Sequence, residues 1–539
     1  MERIFTRKWM NVLEVLALAV AMATITFSAA TTAAAAPKTL VFACEAEPSQ
    51  LDPHISNTWN TFRILTHMFE SFVAEDLTKD KVDRAPIVPA LATSWTVSKD
   101  GKTYTFTLRK GVKFHDGTPW NAQAAKFNLD RMTNPNFQYF SKISAGKMGW
   151  MWGDLDRYEV VDEYTFRIIL KQPNSEFLSR LTEGGTGAPV MVSPESVKKW
   201  GNDEVTNHPV GTGPFKFVER VYGEKVVLEK NPNYWDPKRI PKIDRWIIRG
   251  MNEVATRELV LQNGEVDIIA TPSPDSVEFL ASKGFRIVKG PVPTIYVLWL
   301  NFNEPYFKDV RVRQAVAMAI DRVGMAKYLK RGLAEPAYGI LNFAGPGYDP
   351  KFRDYPYDPL KAKKLLADAG FPNGFETRMD WTLGGGGDVN TQLDAEWIQR
   401  DLAKIGIKVK IELFDNNTYW DMMGKGMRDG TGFMSVSWGE TTFFWLDIVI
   451  SKAALPPNGY NSGYYDNPKI DDLLSKARSA LTERDQVKYL REIQDIIAKD
   501  AAFIPYFTSV QVYAMNPKVK GFILGPQHWH DFTQVTKEE

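Results

Sequence analysis

The chain has 539 residues, which corresponds to two to four structural units of roughly 150 residues each. Hydrophobic residues make up 44% of it and charged residues 24%, as in an ordinary globular protein. The formal net charge is only +1, whereas binding to nucleic acid or to an anionic surface needs a clustered basic excess. The totals therefore argue against both kinds of partner, and we expect no nucleic acid.

The first 35 residues have the pattern of a secretory signal peptide. The apolar segment over 15–27 is too short and too rich in Ala and Thr for the alternative, a membrane anchor. We expect cleavage after Ala35, because a cut after Ala36 would place Pro37 beside the scissile bond. The sequence therefore predicts a periplasmic protein. The other residues that indicate the signal are Arg3, Arg7, Lys8 and Ala33.

Cys44 is the single cysteine, which excludes an intramolecular disulfide. It lies well past the apolar segment and within a predicted strand over 39–44, and this position argues against lipid attachment. We expect a buried side chain that behaves as a small hydrophobe.

The stretch 89–132 predicts a β-hairpin followed by a helix. Apolar and polar residues alternate along both strands, and Asp100-Gly101 between them supplies the positive φ of a tight turn. Asn121 is the expected cap of the helix. A second hairpin is predicted from strands at 158–161 and 165–170.

From about residue 296, predicted helices and strands alternate, which is typical of an α/β unit. A strand at 296–301 comes first. Side chains that can cap a helix mark the starts of four of the helices that follow. These predicted caps are Asp309, Asp358, Asn467 and Thr482.

Five short strings carry a resemblance to a known family. They are the hairpin and turn at 95–119, LDPH at 51–54, GTGPF at 211–215, NPNYW at 231–235 and DVRVRQAVAMAIDR at 309–322. Their order and spacing resemble family 5 of the solute-binding proteins of ABC importers, which includes oligopeptide-, dipeptide- and nickel-binding proteins. The string at 95–119 matches that family nearly position by position, and the resemblance extends from about residue 39 to residue 507.

The resemblance implies an α/β, two-lobe periplasmic-binding-protein-like fold of type II, cluster C, with an extra inserted subdomain in the first lobe. It also implies domain boundaries along the chain. We expect a signal peptide over 1–35, the first lobe over 36–77 and 208–295, the inserted subdomain over 78–207, the second lobe over 296–505, and a return to the first lobe over 506–539.

The resemblance further implies the extracytoplasmic solute-binding component of an ABC importer, with the permease and ATPase subunits as partners. The protein would capture a solute, with a peptide as the first candidate, between two lobes and deliver it to the permease. Two alternatives stay open. One is a non-peptide solute, such as an opine- or sugar-like conjugate or chelated nickel, and the other is a ligand-loaded partner of a chemoreceptor. We expect a monomer.

The same resemblance points to ligand-binding residues. A family segment that touches the ligand corresponds to the loop that contains Asn57, Thr58 and Trp59. In the peptide-binding members, a loop after a Gly-Trp pair carries an aspartate that pairs with the amino group of the peptide. Trp438 matches that tryptophan, whereas Thr441 stands at the aspartate position with Glu440 beside it. Glu440 could hold the ammonium instead; otherwise the ligand need not carry a free amino terminus.

Aromatic residues are abundant, with 16 Trp, 20 Tyr and 31 Phe. They either fill a large core or line a binding cleft, where rings supply contact area at low entropy cost. Trp381 and Trp420 are the further aromatic candidates for the cleft. The full expected ligand-binding set is Asn57, Thr58, Trp59, Trp381, Trp420, Trp438, Glu440 and Thr441.

An enzyme and a metal protein are the alternatives from other classes. The sequence contains no G-x-S-x-G, H-E-x-x-H or Walker motif, and Cys44 lies in a predicted strand rather than in a nucleophile motif. His528 and His530 can point to one face of a strand, but no third ligand accompanies them. We therefore expect no catalysis, no cofactor and no metal site.

Overall fold

The structure is a computed structural model that describes residues 37–538, apart from 57, 80–83, 183–188, 384–390 and 440–442. It gives Trp59, Trp150 and Asn417 by their backbone alone. The predicted signal peptide over 1–35 lies outside the described residues. Among the helices described, none is long and apolar enough to cross a membrane.

Helices are distributed along the whole described chain. The α-helices are Trp59–Leu65, Ala122–Thr133, Lys142–Trp152, Phe177–Arg180, Pro194–Glu204, Val254–Gln262, Val277–Ser282, Val310–Ala319, Arg322–Gly324, Pro359–Asp368, Thr391–Ala403, Asn416–Lys425, Phe444–Ile450, Pro468–Arg478 and Glu483–Asp500. Short 3₁₀ turns are Val205–Asn207, Pro237–Arg239, Pro305–Lys308 and Lys452–Ala454, and Met325–Leu329 is a π-turn.

Among the described residues, one large sheet has 11 strands. From edge to edge the order is Lys408–Phe414, Glu376–Thr382, Thr431–Trp438, Arg286–Leu300, Phe503–Met515, Ile268–Ala270, Thr39–Cys44, Arg245–Gly250, Lys225–Lys230 and Phe215–Val221, with Ala334–Pro336 paired to Phe503–Met515 off this path. Two small sheets pair Val73–Glu75 with Ile87–Pro89 and Val519–Lys520 with Thr536–Lys537.

Two long antiparallel strands at the middle of this sheet, Arg286–Leu300 and Phe503–Met515, join its two halves, and we call them the crossing strands. Their register shifts between Pro291 and Ile295. Proline has no N–H to donate to the ladder, so regular pairing is interrupted there. The chain thus passes between the two halves of the sheet through two neighbouring strands, which is the architecture of a hinge.

The first crossing strand is longer than the sequence predicted. It begins at Arg286, whereas the apolar pattern indicated a start near residue 296. Pro291 and Pro293 interrupt the sequence signal of a strand, because proline is found in strands mainly at edges and bulges. The structure tolerates both prolines at the register shift.

The first lobe is the half of the sheet that contains Thr39–Cys44. This strand pairs in parallel with Arg245–Gly250 on one side and Ile268–Ala270 on the other. Its core includes Trp246 stacked on Phe532, with ring centroids 4.4 Å apart. Cys44 is a fully buried free cysteine, as the sequence predicted.

The inserted subdomain contains a four-stranded antiparallel sheet and its helices. The predicted hairpins form as expected, with the first turn at Gly101 in the positive φ region. Asn121 caps its helix by accepting the N–H groups of Gln123 and Ala124, each at 3.1 Å. The strands lie in the order Ala92–Val97, Thr103–Leu108, Thr165–Leu170 and Leu155–Asp162.

The second lobe is the half of the sheet that contains Thr431–Trp438, with helices packed on it. The strand Glu376–Thr382 pairs in parallel with both of its neighbours, as in α/β folds. All four predicted caps accept a backbone N–H in the first turn of their helix: Asp309 from Arg311, Asp358 from Lys361, Asn467 from Lys469 and Thr482 from Asp485.

Candidate functional site

The carboxyl ends of strands from the two lobes point toward each other along the crossing strands. In the first lobe, Ile268–Ala270 runs antiparallel to Phe503–Met515, and in the second lobe Thr431–Trp438 runs antiparallel to Arg286–Leu300. The crossing strands are themselves antiparallel, so the two lobe strands approach the hinge from opposite directions. Ligands of open α/β sheets bind outside the carboxyl ends of strands. The site is therefore expected between these ends.

The first-lobe side of the site is built on Glu45, which follows the strand Thr39–Cys44. Arg63 donates from Nη1 to Glu45 Oε2 at 3.0 Å, and the hydroxyl of Thr271 donates to the other carboxylate oxygen. Thr271 has a φ of 51°, an uncommon value for a residue other than glycine. The side chain of Glu45 is largely buried, with 18% of it exposed.

Glu45 is an anion over the whole physiological pH range. Burial alone would raise its pKa, but the Arg63 guanidinium and the Thr271 hydrogen bond outweigh burial and lower the pKa to about 2. Each carboxylate oxygen has two acceptor positions, so the bonds from Arg63 and Thr271 do not use up the acceptor capacity of the carboxylate. The arrangement can accept a hydrogen bond from a cationic or N–H group.

The hinge between the lobes is closely packed. A Cβ added to Gly439 would lie 2.0 Å from the carbonyl oxygen of Pro293 and 2.4 Å from the Cα of Thr294, so only glycine permits this approach. Thr294 Oγ1 is 2.7 Å from Nε2 of His528. Burial and the nearby Arg63 lower the pKa of His528 to about 4, so this imidazole is neutral at physiological pH.

The second-lobe side of the site carries three half-buried aromatic rings, Trp420, Trp438 and Tyr460, which we call the aromatic cluster. Trp438 ends its strand opposite Ile295 of the crossing strand. The ring centroids are 5.6 to 6.0 Å apart, and two of the three pairs meet edge to face. Such rings present apolar faces to a ligand at low entropy cost.

The structure brings together two of the sequence-predicted site residues, Trp420 and Trp438. Thr58 lies just before the helix Trp59–Leu65, and its hydroxyl is 2.8 Å from that of Thr61. The backbone alone is given for Trp59. Asn57, Glu440 and Thr441 lie outside the described residues, so their contact with a ligand stays a prediction.

Trp381 lies in the hydrophobic core of the second lobe. Its side chain is 2% exposed, and its ring centroid is 6.5 Å from that of Tyr506. Trp381 is the last residue but one of the parallel strand that neighbours Thr431–Trp438, and its ring packs among core residues there. A ligand contact of Trp381 is therefore not visible in this arrangement and stays a prediction.

The two histidines that could suggest a metal site have different protein partners. His528 bonds to Thr294, and Nε2 of His530 is 3.0 Å from the hydroxyl of Tyr513. Within the described part of the chain, no group of three or more His, Cys, Asp or Glu side chains is placed to hold a metal ion.

Comparison with known proteins shows the family. A family model described as "Bacterial extracellular solute-binding proteins, family 5 Middle" matches residues 86–472. This chain belongs to family 5 of the bacterial extracellular solute-binding proteins. The family 5 resemblance that the short strings carried is thereby confirmed.

Relatives of this family 5 protein match it over nearly its full length. The glutathione-binding protein GsiB of Salmonella choleraesuis (strain SC-B67) is 31% identical over 539 residues, which cover 99% of each chain. The name of this relative is that of a binding protein.

Two solved structures show the fold. The ABC transporter-associated periplasmic binding protein DppA from Helicobacter pylori, in complex with the peptide STSA, is 30% identical with a TM-score of 0.78, covering 93% of this chain and 98% of that one. The binding protein AgaA from A. tumefacien R10, in complex with agropinic acid, is 27% identical with a TM-score of 0.73, covering 93% and 99%. The predicted α/β, two-lobe fold of type II is confirmed.

Proposed function

We propose that this family 5 protein captures a small peptide between its lobes and delivers it to the permease and ATPase subunits of an ABC importer. The observation that carries the proposal is the placement of an anionic residue, Glu45, after a first-lobe strand and of the aromatic cluster at the end of a second-lobe strand, because the carboxyl ends of both strands point toward the hinge. A peptide offers an ammonium group to a carboxylate and apolar side chains to the rings. The glutathione-binding relative and the peptide-bound DppA support the same ligand class. We propose a binding role without catalysis.

A non-peptide, opine-like solute is the second candidate. Thr441 stands at the position where the peptide-binding members carry an aspartate, which weakens the case for an amino-terminal anchor there. AgaA, which covers 93% of this chain, is in complex with agropinic acid.

Titration calorimetry with reduced glutathione and with short peptides tests the proposal, with their N-acetylated forms as matched controls. We expect dissociation constants on the order of micromolar. Acetylation should weaken binding at least about tenfold, because it removes the positive charge that a carboxylate recognises. Saturable binding of an opine together with no heat from any peptide would refute the peptide proposal.

Replacing Trp438 by Ala should weaken ligand binding by at least about tenfold, because one apolar wall of the site is lost. The melting temperature should stay almost unchanged, since the ring is half-buried. The control is Trp200→Ala, a partly exposed ring of the inserted subdomain, which should leave affinity unchanged. A melting temperature that falls together with affinity would show that Trp438 is a core residue instead.

We also propose that the exported protein begins at Ala36, after removal of the signal peptide predicted over 1–35. Amino-terminal sequencing or intact-mass measurement of the secreted protein checks this expectation. An exported chain that retains Met1 would reject the cleavage argument.

A further inference from the structure

Two consecutive residues of the inserted subdomain contact the second lobe. Glu176 Oε1 accepts the backbone N–H of Phe443 at 2.5 Å, at the start of the helix Phe444–Ile450. Ser175 donates its backbone N–H to the carbonyl of Arg478 at 2.8 Å, at the end of another helix. Helix ends leave backbone groups without partners inside the helix. For these two helices of the second lobe, Glu176 and Ser175 of the inserted subdomain supply the partners.

The side chain of Ser175 adds two more bonds to the same contact. Its hydroxyl donates to the carbonyl of Ala477 at 3.0 Å and accepts from Nε2 of Gln486 at 2.8 Å. Beside it, Leu481 of the second lobe lies against the hairpin turn at Gly101, where an added Cβ would be 2.6 Å from Leu481 Cδ2. The contact therefore combines hydrogen bonds to helix ends with apolar packing.

Charged groups surround Glu176 on both sides of this contact. Within its own segment, Arg180 pairs with Glu176 at 3.3 Å and lies 4.9 Å from the centroid of the Phe444 ring. On the second lobe, Asp447 faces Glu176 and pairs with Arg478 at 2.5 Å. Asp154 of the inserted subdomain also interacts electrostatically with Asp447 and with Arg478.

Burial at this contact makes Glu176 titrate near neutral pH. Glu176 is 3% exposed, and burial raises its pKa to about 7; Asp447 adds to the rise, whereas Arg180 and the N–H of Phe443 oppose it. Burial also raises the pKa of Asp447, against the opposing effect of Arg478.

The contact is continuous with the ligand-binding side of the second lobe. Phe443 is the first described residue after Gly439, which packs on the hinge, and Gly439 directly follows Trp438 of the aromatic cluster. The residues on either side of 440–442 are thus held by groups outside the second lobe, the hinge at one end and Glu176 at the other.

We propose that Ser175 and Glu176 form a clasp between the inserted subdomain and the second lobe that stabilises the closed cleft. Glu176 is a positioning residue in this scheme, because it acts through Phe443 and touches no ligand. The inference rests on the proposed function, since it assigns regulation to the same cleft. Through the clasp, the inserted subdomain takes part in ligand capture.

The direction of the pH dependence follows from linkage. When the clasp parts, water should reach Glu176 and return its pKa toward the ordinary carboxyl value, whereas in the contact described here the pKa is about 7. Closure is therefore favoured below neutral pH and weakens as pH rises through 7. Ligand affinity should increase about tenfold between pH 8 and pH 6.

The test measures the distance between the lobes by pulsed electron paramagnetic resonance on the full mature chain. Labels go on Lys147→Cys and Lys476→Cys, two exposed positions, because the natural cysteine is buried. Without ligand, the wild type should show more of the short distance at pH 6 than at pH 8. Glu176→Gln keeps an acceptor for Phe443 but cannot titrate, so its distances should not change with pH. Glu176→Ala should shift to the longer distance at both pH values.

Calorimetry with reduced glutathione as the probe separates this inference from the proposed function. A tenfold pH response in the wild type that is absent in Glu176→Gln supports the clasp. Glutathione binding that responds to pH identically in both proteins overturns the clasp and leaves the binding function intact. Distance changes of the expected kind without glutathione binding support the clasp and count against that ligand. The same distances in all three proteins at both pH values would overturn the inference.

Discussion

Replacing Asp52 by Asn is expected to lower the free energy of unfolding by about 3–5 kcal/mol, because it leaves a buried guanidinium without its counter-ion. Arg131 holds Asp52 with two bonds, Nη1 to Oδ1 at 3.1 Å and Nη2 to Oδ2 at 2.6 Å. Both side chains are fully buried. Arg131 also contacts Nδ1 of His54 at 2.9 Å and donates to Oδ1 of Asn202 at 2.9 Å.

This ion pair fastens the LDPH segment of the first lobe to the inserted subdomain. Asp52 and His54 come just before the predicted ligand-binding residues Asn57 and Thr58, so a loosened segment should also weaken ligand binding. Chemical denaturation measures the change in stability. The matched control is Asp156→Asn, whose carboxylate pairs with Arg157 on the surface and should cost less than about 1 kcal/mol. Equal costs for the two variants would contradict a structural role for the buried pair.

Acid should destabilise the protein strongly between pH 6.5 and pH 4. Burial lowers the pKa of His54 and of His67 to about 4, and Arg131 adds to the effect at His54. The folded state therefore binds fewer protons than the unfolded state in this range. The stabilisation is fully present above the unfolded pKa of about 6.5 and is lost as pH falls through 4.

The contacts of His54 and His67 explain why protonation destabilises the folded state. Nδ1 of His54 faces Arg131, so a proton there would place two positive charges together. Nε2 of His67 accepts the N–H of Phe532 at 3.1 Å, and a proton on that nitrogen would break the bond. Glu176, whose pKa is raised to about 7, works in the opposite direction.

The loss of unfolding free energy that His54 and His67 contribute between pH 7 and pH 4.5 should be on the order of 3–5 kcal/mol. Urea denaturation across this range measures it. His54→Gln should make the dependence on pH shallower. An unfolding free energy that is constant from pH 7 to pH 4.5 would contradict the assignment of buried neutral histidines.

Local elements could be predicted from the sequence because their signals are local. Asn121, Asp309 and Thr482 cap helices through neighbouring residues, and the hairpin turn needs only Gly101. The family and the two-lobe fold followed from short strings with fixed spacing. The start of the first crossing strand was missed, because Pro291 is tolerated only at a shift in register that the partner strand defines.

The site was predicted in part, because its residues come from distant parts of the chain. Trp420 and Trp438 were found as aromatics, yet Trp381 has the same residue type and lies in the core. Glu45 and His528 gave no local signal, since they are 483 residues apart in the sequence; Arg63 bonds to the carboxylate of Glu45 and to the backbone carbonyl of His528. The predicted strand that ends at Cys44, directly before Glu45, was the one available indication.

The contact of Ser175 and Glu176 with the second lobe could not be predicted from the sequence either. Ser175 and Glu176 follow a predicted hairpin, and nothing in their own segment indicates that they bond to Arg478 and Phe443. Contacts between separate folding units depend on how those units pack, and residue patterns within one unit carry little information about it.

Native mass spectrometry of the protein purified from its own host without refolding tests directly whether the protein captures a small peptide between its lobes. Binding proteins that close on a ligand can retain it through purification. We expect a bound mass that fragments as a small peptide with a free amino group. A bound opine or another non-peptide compound would contradict it, and would assign the cleft between Glu45 and the aromatic cluster to a different solute.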